Sequence, residues 1–266
     1  MDDNKYIEMI KRNPSIIKTI NNPTEEMKLL AVEKDGLLLR YIKDVSEEVK
    51  LKAIENNPKS IRFIENPSEQ MMLKAIDYGW SILEYIKNPT DKVIEKAIEQ
   101  AGWAIQYIKN PSEELQLKAV RKNYDSLKYI ENPYESVEEE AVKISYDALR
   151  YIKNPKLSTQ VLAIKSDEAA ISFISDLDKE KINKFLRENI LVLKYLGNKV
   201  SKEDLEEVLA DVLSKEEVEE KYVRDFINYN SIDYKDIMPS DKIIFIYKNG
   251  SKKAKKIAVD EKLKMI

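Results

Sequence analysis

Along most of the chain, apolar positions return in blocks of 22 residues, and each block carries two short amphipathic runs separated by polar punctuation. The block at 110–131, NPSEELQLKAVRKNYDSLKYIE, is representative. In its first run Gln116, Ala119 and Val120 fall at i, i+3 and i+4 with Leu117 beside them; in its second, Leu127 and Ile130 fall at i and i+3. This spacing predicts two helices per block, each of roughly ten residues. Helices of that length do not hold alone in water, so stability must come from stacking one block on the next.

Three columns share the register. Asn-Pro recurs at Asn22-Pro23, Asn66-Pro67, Asn88-Pro89, Asn110-Pro111, Asn132-Pro133 and Asn154-Pro155, with Asp44-Val45 in the missing slot. Alanine recurs at Ala31, Ala53, Ala75, Ala97, Ala119, Ala141 and Ala163, where a small side chain lets neighbouring helices approach closely. An aromatic-aliphatic pair runs from Tyr41-Ile42 through Phe63-Ile64, Tyr85-Ile86, Tyr107-Ile108, Tyr129-Ile130, Tyr151-Ile152 and Phe173-Ile174 to Tyr195-Leu196. In the last block Asn-Pro has become Asp176-Leu177 and the alanine Phe185; before residue 22, IEMIKRNPSIIKTIN reads as a divergent first copy. The expected fold class is therefore all-α: an α-solenoid of about nine two-helix repeats over residues 1–197, with a mostly helical C-terminal capping region over 198–266.

Each repeat holds two helix starts. At the first, Asn110 with Pro111 and Glu113, or alternatively Ser112, supplies the cap. The second lies thirteen residues on, in a column reading Asn13, Asp35, Asn57, Gly79, Ala101, Asn123, Ser145, Asp167 and Asn189. This column was not used to define the period, and cap-forming residues fill it everywhere except Gly79 and Ala101. Beyond 198 the period fails. Ser201 and Ser214 are capping-type residues in a strongly helical stretch, and the 241–266 stretch, with eight lysines against three acids, fits either a hairpin turning at Asn249-Gly250 or, preferably, helices: Pro239-Ser240-Asp241 reads as a degenerate unit start, Asn249-Gly250 as a helix end and Ser251 as the next cap.

Composition narrows the chemistry. Charged residues make up 35% of the chain yet the net charge is only -3, and 43% is hydrophobic, enough for a core. The chain has neither cysteine nor histidine, which excludes disulfides, thiolate metal sites and every Ser-His or Cys-His catalytic arrangement. Five glycines leave little room for a phosphate-cradling loop. The acidic start MDDNKYIEMIKRNP is unlike a signal peptide, and no run approaches a membrane span. These readings point to a non-enzymatic, cytoplasmic protein with no metal and no cofactor.

The Asn-Pro-punctuated repeat, clearest in LKAIENNPKSIRFIENPSEQMMLKAI, resembles the leucine-rich variant repeat, a relative in shape of the HEAT and armadillo classes. KAVRKNYDSLKYIENP is also similar to a bacterial 22-residue repeat family of unknown function. The resemblance covers residues 1–197, departs from the leucine-rich variant type in its shorter unit and missing cysteine cluster, and implies a solenoid that binds other macromolecules without a cofactor.

Where the array varies, it suggests a site. Gly79 and Ala101 break the cap column in the two repeats that carry Trp80 and Trp103, the only tryptophans; two such rings in adjacent repeats would form one hot-spot patch, or else Trp103 fills the space used by Leu37 and Leu191 and Trp80 covers the edge of the spine. The column after the Val/Ile position turns from Glu33, Glu55, Asp77 and Glu99 to Arg121, Lys143, Lys165 and Arg187, and the column before the tyrosine adds Lys128, Arg150 and Lys194. Such a reversal would steer an oppositely patterned protein; alternatively, the basic half would track a nucleic-acid backbone or a nucleotide. The aromatic column is expected to pack between repeats rather than to stack bases. The leading expectation is a protein-binding scaffold. Its Lys, Ile, Asn and Glu bias resembles an AT-rich bacterium or its phage, and would suit an inhibitor or adaptor that occupies a bacterial defence complex.

Overall fold

The computed structural model describes residues 3–230 and 237–264, and every regular element among them is helical. The fold is an all-α solenoid of two-helix repeats followed by further α-helices. Its contacts divide the chain into two bodies, 1–133 and 134–266.

In the first body α1 (Asp3–Arg12), α2 (Glu25–Lys34), α3 (Glu47–Asn56), α4 (Glu69–Ile76), α5 (Asp91–Gln100) and α6 (Glu113–Lys122) alternate with six 3₁₀ helices. These are η1 (Pro14–Thr19), η2 (Gly36–Tyr41), η3 (Pro58–Phe63), η4 (Trp80–Tyr85), η5 (Gly102–Tyr107) and η6 (Tyr124–Tyr129). Each α-helix packs on the next α-helix and each 3₁₀ helix on the next 3₁₀ helix, which makes two layers. The second body continues with α7 (Glu135–Ile144), η7 (Tyr146–Tyr151), α8 (Leu157–Ser166), η8 (Glu168–Phe173), α9 (Lys179–Glu188) and η9 (Ile190–Tyr195). The alternation then stops, and a short η10 (Gly197–Lys199) leads to α10 (Lys202–Ser214), α11 (Glu220–Asn228), α12 (Lys242–Asn249) and α13 (Lys252–Lys264).

The second element of each repeat is thus shorter and tighter than the ten-residue helix expected. Ile130 N–H donates to the Leu127 carbonyl at 3.1 Å, an i to i+3 bond, and Ile130 itself is extended. Spacing of i and i+3 suits α and 3₁₀ geometry alike, and a run of six residues between its caps is too short to add the i+4 contacts that would favour α. The cap column, by contrast, falls at the N-cap of the nine repeat 3₁₀ helices, η1 to η9. Asn13, Asp35, Asn57, Asp167 and Asn189 each accept a backbone N–H with the side chain.

At four of the α-helices the open choice of cap resolves to the hydroxyl residue after the proline, or after Val45 in the slot that lacks one. The hydroxyls of Thr24, Ser46, Ser68 and Ser112 accept the N–H groups of Met27, Val49, Met71 and Leu115. Proline therefore lies just outside the helix, and Asn110 turns the chain with φ 50°, as Asp44 (φ 50°) and Asp176 (φ 56°) do at the slots where Asn-Pro is lost. Gln116, on the buried face, has its amide donating to the Pro111 carbonyl at 3.0 Å, which satisfies a linker group from inside the core.

The spine is continuous within each body. The alanine column, the Val/Ile column after it and the Leu/Ile column of the 3₁₀ helices are all buried. In the C-terminal region the helical alternative holds for 241–264: Asp241 caps α12, Gly250 ends it, and Ser251 accepts the N–H of Ala254 to start α13. The stretch 231–236 and the last two residues of the expected capping region lie outside the described residues.

Tyr222 ties α11 to α9 by donating its hydroxyl to the Leu186 carbonyl at 2.8 Å. Burial pushes its phenol well above the ordinary range. The unfolded chain ionises this group near pH 10 while the fold resists. The associated stability is complete below about pH 10 and is lost as pH rises further, by up to about 1.4 kcal/mol per unit. Tyr222→Phe is expected to flatten the alkaline decline in urea-unfolding stability while costing about 1 kcal/mol near neutrality for the lost hydrogen bond. An alkaline slope equal to that of the wild type would assign the decline to other groups.

Candidate partner-binding site

The sixth residue of each 3₁₀ helix from η2 onward is the aromatic column, and its rings are more open than the expected packing between repeats. In the first body Tyr41 is 45% and Tyr129 42% exposed, while Phe63, Tyr85 and Tyr107 are half-buried. Instead of being covered by apolar neighbours, several of them carry cations. Lys18 and Arg40 lie 4.6 and 4.5 Å from the Tyr41 ring centre, Arg62 4.8 Å from Phe63 and 5.5 Å from Tyr85, and Lys59 5.4 Å from Tyr85. These contacts build a cation-aromatic ladder on the 3₁₀ layer, each rung worth about 0.5–1 kcal/mol at an exposed site.

The structure brings Trp80 and Trp103 together. Their ring centres are 6.3 Å apart in an edge-on arrangement, and Trp80 also lies 6.2 Å from Tyr107. Both tryptophans are half-buried, so each contributes packing and leaves part of its ring at the surface. Trp103 Nε1 donates to Asp125 Oδ1 at 2.8 Å, Lys128 Nζ is 2.9 Å from Asp125 Oδ2, and the same ammonium lies 5.9 Å from the Trp103 ring. Burial raises the Asp125 pKa, but the hydrogen bonds from Lys128 and Trp103 outweigh it and hold the carboxyl below its usual range. The cap column also behaves unexpectedly here. Asn123 makes no side-chain cap bond to its own helix; its Oδ1 accepts the N–H of Gly102 at 2.9 Å, serving the preceding repeat that Ala101 leaves without a side-chain cap.

The charged columns separate into layers. Arg121, Lys143, Lys165 and Arg187 sit at the ends of α6, α7, α8 and α9, whereas Lys128, Arg150 and Lys194 belong to η6, η7 and η9. Most are paired within the chain. Arg150 meets Asp147 at 3.0 Å, Lys165 meets Glu219 at 2.5 Å, Arg187 meets Asp211 at 3.0 Å, and Lys194 meets Glu168 at 2.8 Å. Hydrogen bonds to Glu219 and Glu168 raise the pKa values of Lys165 and Lys194. Arg121 and Lys143 are exposed. In the acidic column Glu55 pairs with Lys74 and Asp77 with Lys96 of the following repeat. Both columns are therefore partly compensated, and neither forms an uninterrupted field of one sign.

Tyr107 of the aromatic column joins Trp80, and Asp125, which the sequence did not single out, joins Trp103. The sequence also sets the two tryptophan repeats apart at the fifth position of the 3₁₀ helices, basic at Lys18, Arg40, Arg62 and Lys128 but Glu84 and Gln106 in these two. Among the described residues, no group of three or more carboxylates is placed to hold a metal ion, and no helix is long and apolar enough to cross a membrane. No family model matches the chain, and no curated protein or solved structure matches it either.

Proposed function

We propose that this chain is a non-enzymatic protein-binding scaffold whose contact surface lies on the 3₁₀ layer of residues 1–133. The observation that carries the reading is the Trp80, Trp103 and Tyr107 cluster, where large rings from adjacent repeats meet at the surface. Aromatic anchors surrounded by polar groups are the usual energetic centre of a protein interface. The resemblance of the repeat to leucine-rich variant and HEAT-like classes supports the same role. A phage inhibitor or adaptor acting on a bacterial complex is the specific form that the composition favours. Pairing of most basic-column side chains with carboxylates argues against the nucleic-acid alternative, because a paired cation releases little counterion on meeting phosphate.

The test is affinity capture from bacterial lysate with mass spectrometry, using the wild type and a Trp80→Ala/Trp103→Ala variant whose helical melt is shown to be cooperative. The wild type is expected to enrich a defined protein, and the variant to retain at least about tenfold less of it. Equal capture by both baits removes the patch from the interface. Tight binding of generic RNA or DNA at low salt, falling steeply with added salt, would favour the nucleic-acid reading instead.

A further inference from the structure

The cation-aromatic ladder follows a rule that breaks at one place. In the first body the fifth residue of a 3₁₀ helix lies over the aromatic ring of its own repeat, over that of the next, or over both: Lys18 and Arg40 on Tyr41, Arg62 on Phe63 and Tyr85, Lys128 on Tyr129 at 4.9 Å. For Tyr107 the two residues in those slots are Glu84 and Gln106. Glu84 holds toward Tyr107 the slot from which Arg62 reaches the Tyr85 ring at 5.5 Å, and its charge, after burial, helps raise the Tyr107 pKa. In the same two repeats the rings are enlarged by Trp80 and Trp103, and Asp125 stands against the Trp103 indole. At Trp103 the chain's own Lys128 pairs with Asp125 and lies 5.9 Å from the indole, but at Tyr107 the slots that carry cations elsewhere in this body hold Glu84 and Gln106, beside an aromatic surface enlarged by Trp80.

We infer that Trp80, Trp103 and Tyr107, with Glu84 at the edge, receive an arginine side chain from a basic segment of the protein partner. This rests on the protein-binding reading above and names the chemistry of the occupant. An arginine suits the place because its flat guanidinium stacks on indole and phenol faces while its N–H groups reach a carboxylate, so that ring and charge are used together. A partner arginine would repeat from outside what Arg62 does for Tyr85 from within. Glu84 supplies the charge complementarity that a lysine or arginine at this position would abolish.

Both tryptophans of the chain lie in this patch, so intrinsic tryptophan fluorescence reports on it alone. The experiment titrates the full chain with a short Arg-Gly repeat peptide, a Gln-Gly repeat peptide and an oligo-dT strand. The Arg-Gly peptide is expected to give a saturable change in emission, with the Gln-Gly peptide at least about fivefold weaker. Glu84→Arg, which restores the internal cation, should weaken Arg-Gly binding about tenfold with an unchanged melting temperature. Should that variant fold poorly, Glu84→Gln is expected to show a smaller loss in the same direction. Equal affinity for the two peptides, undiminished Arg-Gly binding by the Glu84 variants, or tighter binding of oligo-dT than of Arg-Gly would overturn the inference. A Glu84→Arg bait that still captures the lysate protein lost by the double tryptophan variant would sink the arginine assignment while leaving the protein-binding reading standing.

Discussion

Phe185→Ala is expected to lower the unfolding free energy by about 3–5 kcal/mol in urea titration, more than any surface change in the chain. Phe185 occupies the alanine slot of the last repeat and is fully buried. The earlier alanines allow one α-helix of a repeat to approach the next, but α9 has α8 on one side and the longer α10 on the other. Their junction is held at its edges by Lys179 with Asp204 at 2.7 Å and Arg187 with Asp211 at 3.0 Å. Exposed pairs of this kind contribute little to stability, so the burial of the ring carries the join. Alanine at 185 restores the repeat consensus yet leaves a ring-sized void where there is no repeat to fill it. A loss below about 1 kcal/mol would show that the neighbouring helices collapse onto the smaller side chain.

The layers and caps were legible because they rest on local chemistry repeated many times. A cap residue acts on backbone two or three positions away, so its column marks the starts of the repeat 3₁₀ helices η1 to η9. The buried columns were legible for the same reason, since period and apolarity together identify the inward face. The 3₁₀ geometry was not, because its i to i+3 spacing is shared with the α-helix and the choice depends on how short the element is. Asn123 shows the limit most clearly: its identity says cap, but Gly102 in the preceding repeat offers an N–H that its side chain takes instead.

At the candidate site, adjacency in the array was enough to place Trp80 near Trp103, since both stand at the start of neighbouring 3₁₀ helices, one position out of register, and rings of this size bridge the offset. The fate of the cations was not legible. Lys165 finds Glu219 across 54 residues of chain, and that partner lies beyond the end of the period where no register relates the two. A charge column read alone therefore overstates the free charge on a surface, and the break in a pairing pattern, as at Glu84 and Gln106, is the more specific sign of an outside partner.

Gly102→Ala is expected to cost about 3 kcal/mol, a large effect for the addition of one methyl group. An ideal Cβ at Gly102 would stand 2.2 Å from the Ala119 carbonyl oxygen and 3.0 Å from its carbonyl carbon, so relief requires η5 to move away from α6. Gly36 meets the Ala53 carbonyl oxygen in the same way at 2.3 Å, so the close approach goes with glycine in this slot, which other repeats fill with residues such as Pro58, Trp80 and Tyr124. Gly197 is a useful contrast: its φ of 53° is left-handed and a Cβ there would meet nothing within 4 Å, so Gly197→Ala should cost only the conformational strain of about 1 kcal/mol. The displacement at Gly102 would also stretch its hydrogen bond to Asn123, and the two losses should overlap. Asn123→Ala is accordingly expected to cost about 1 kcal/mol in the wild type but markedly less in the Gly102→Ala background. Full additivity in that double-mutant cycle would mean that the glycine and the asparagine stabilise the repeat junction independently, and that close approach is not what brings the Asn123 side chain within reach.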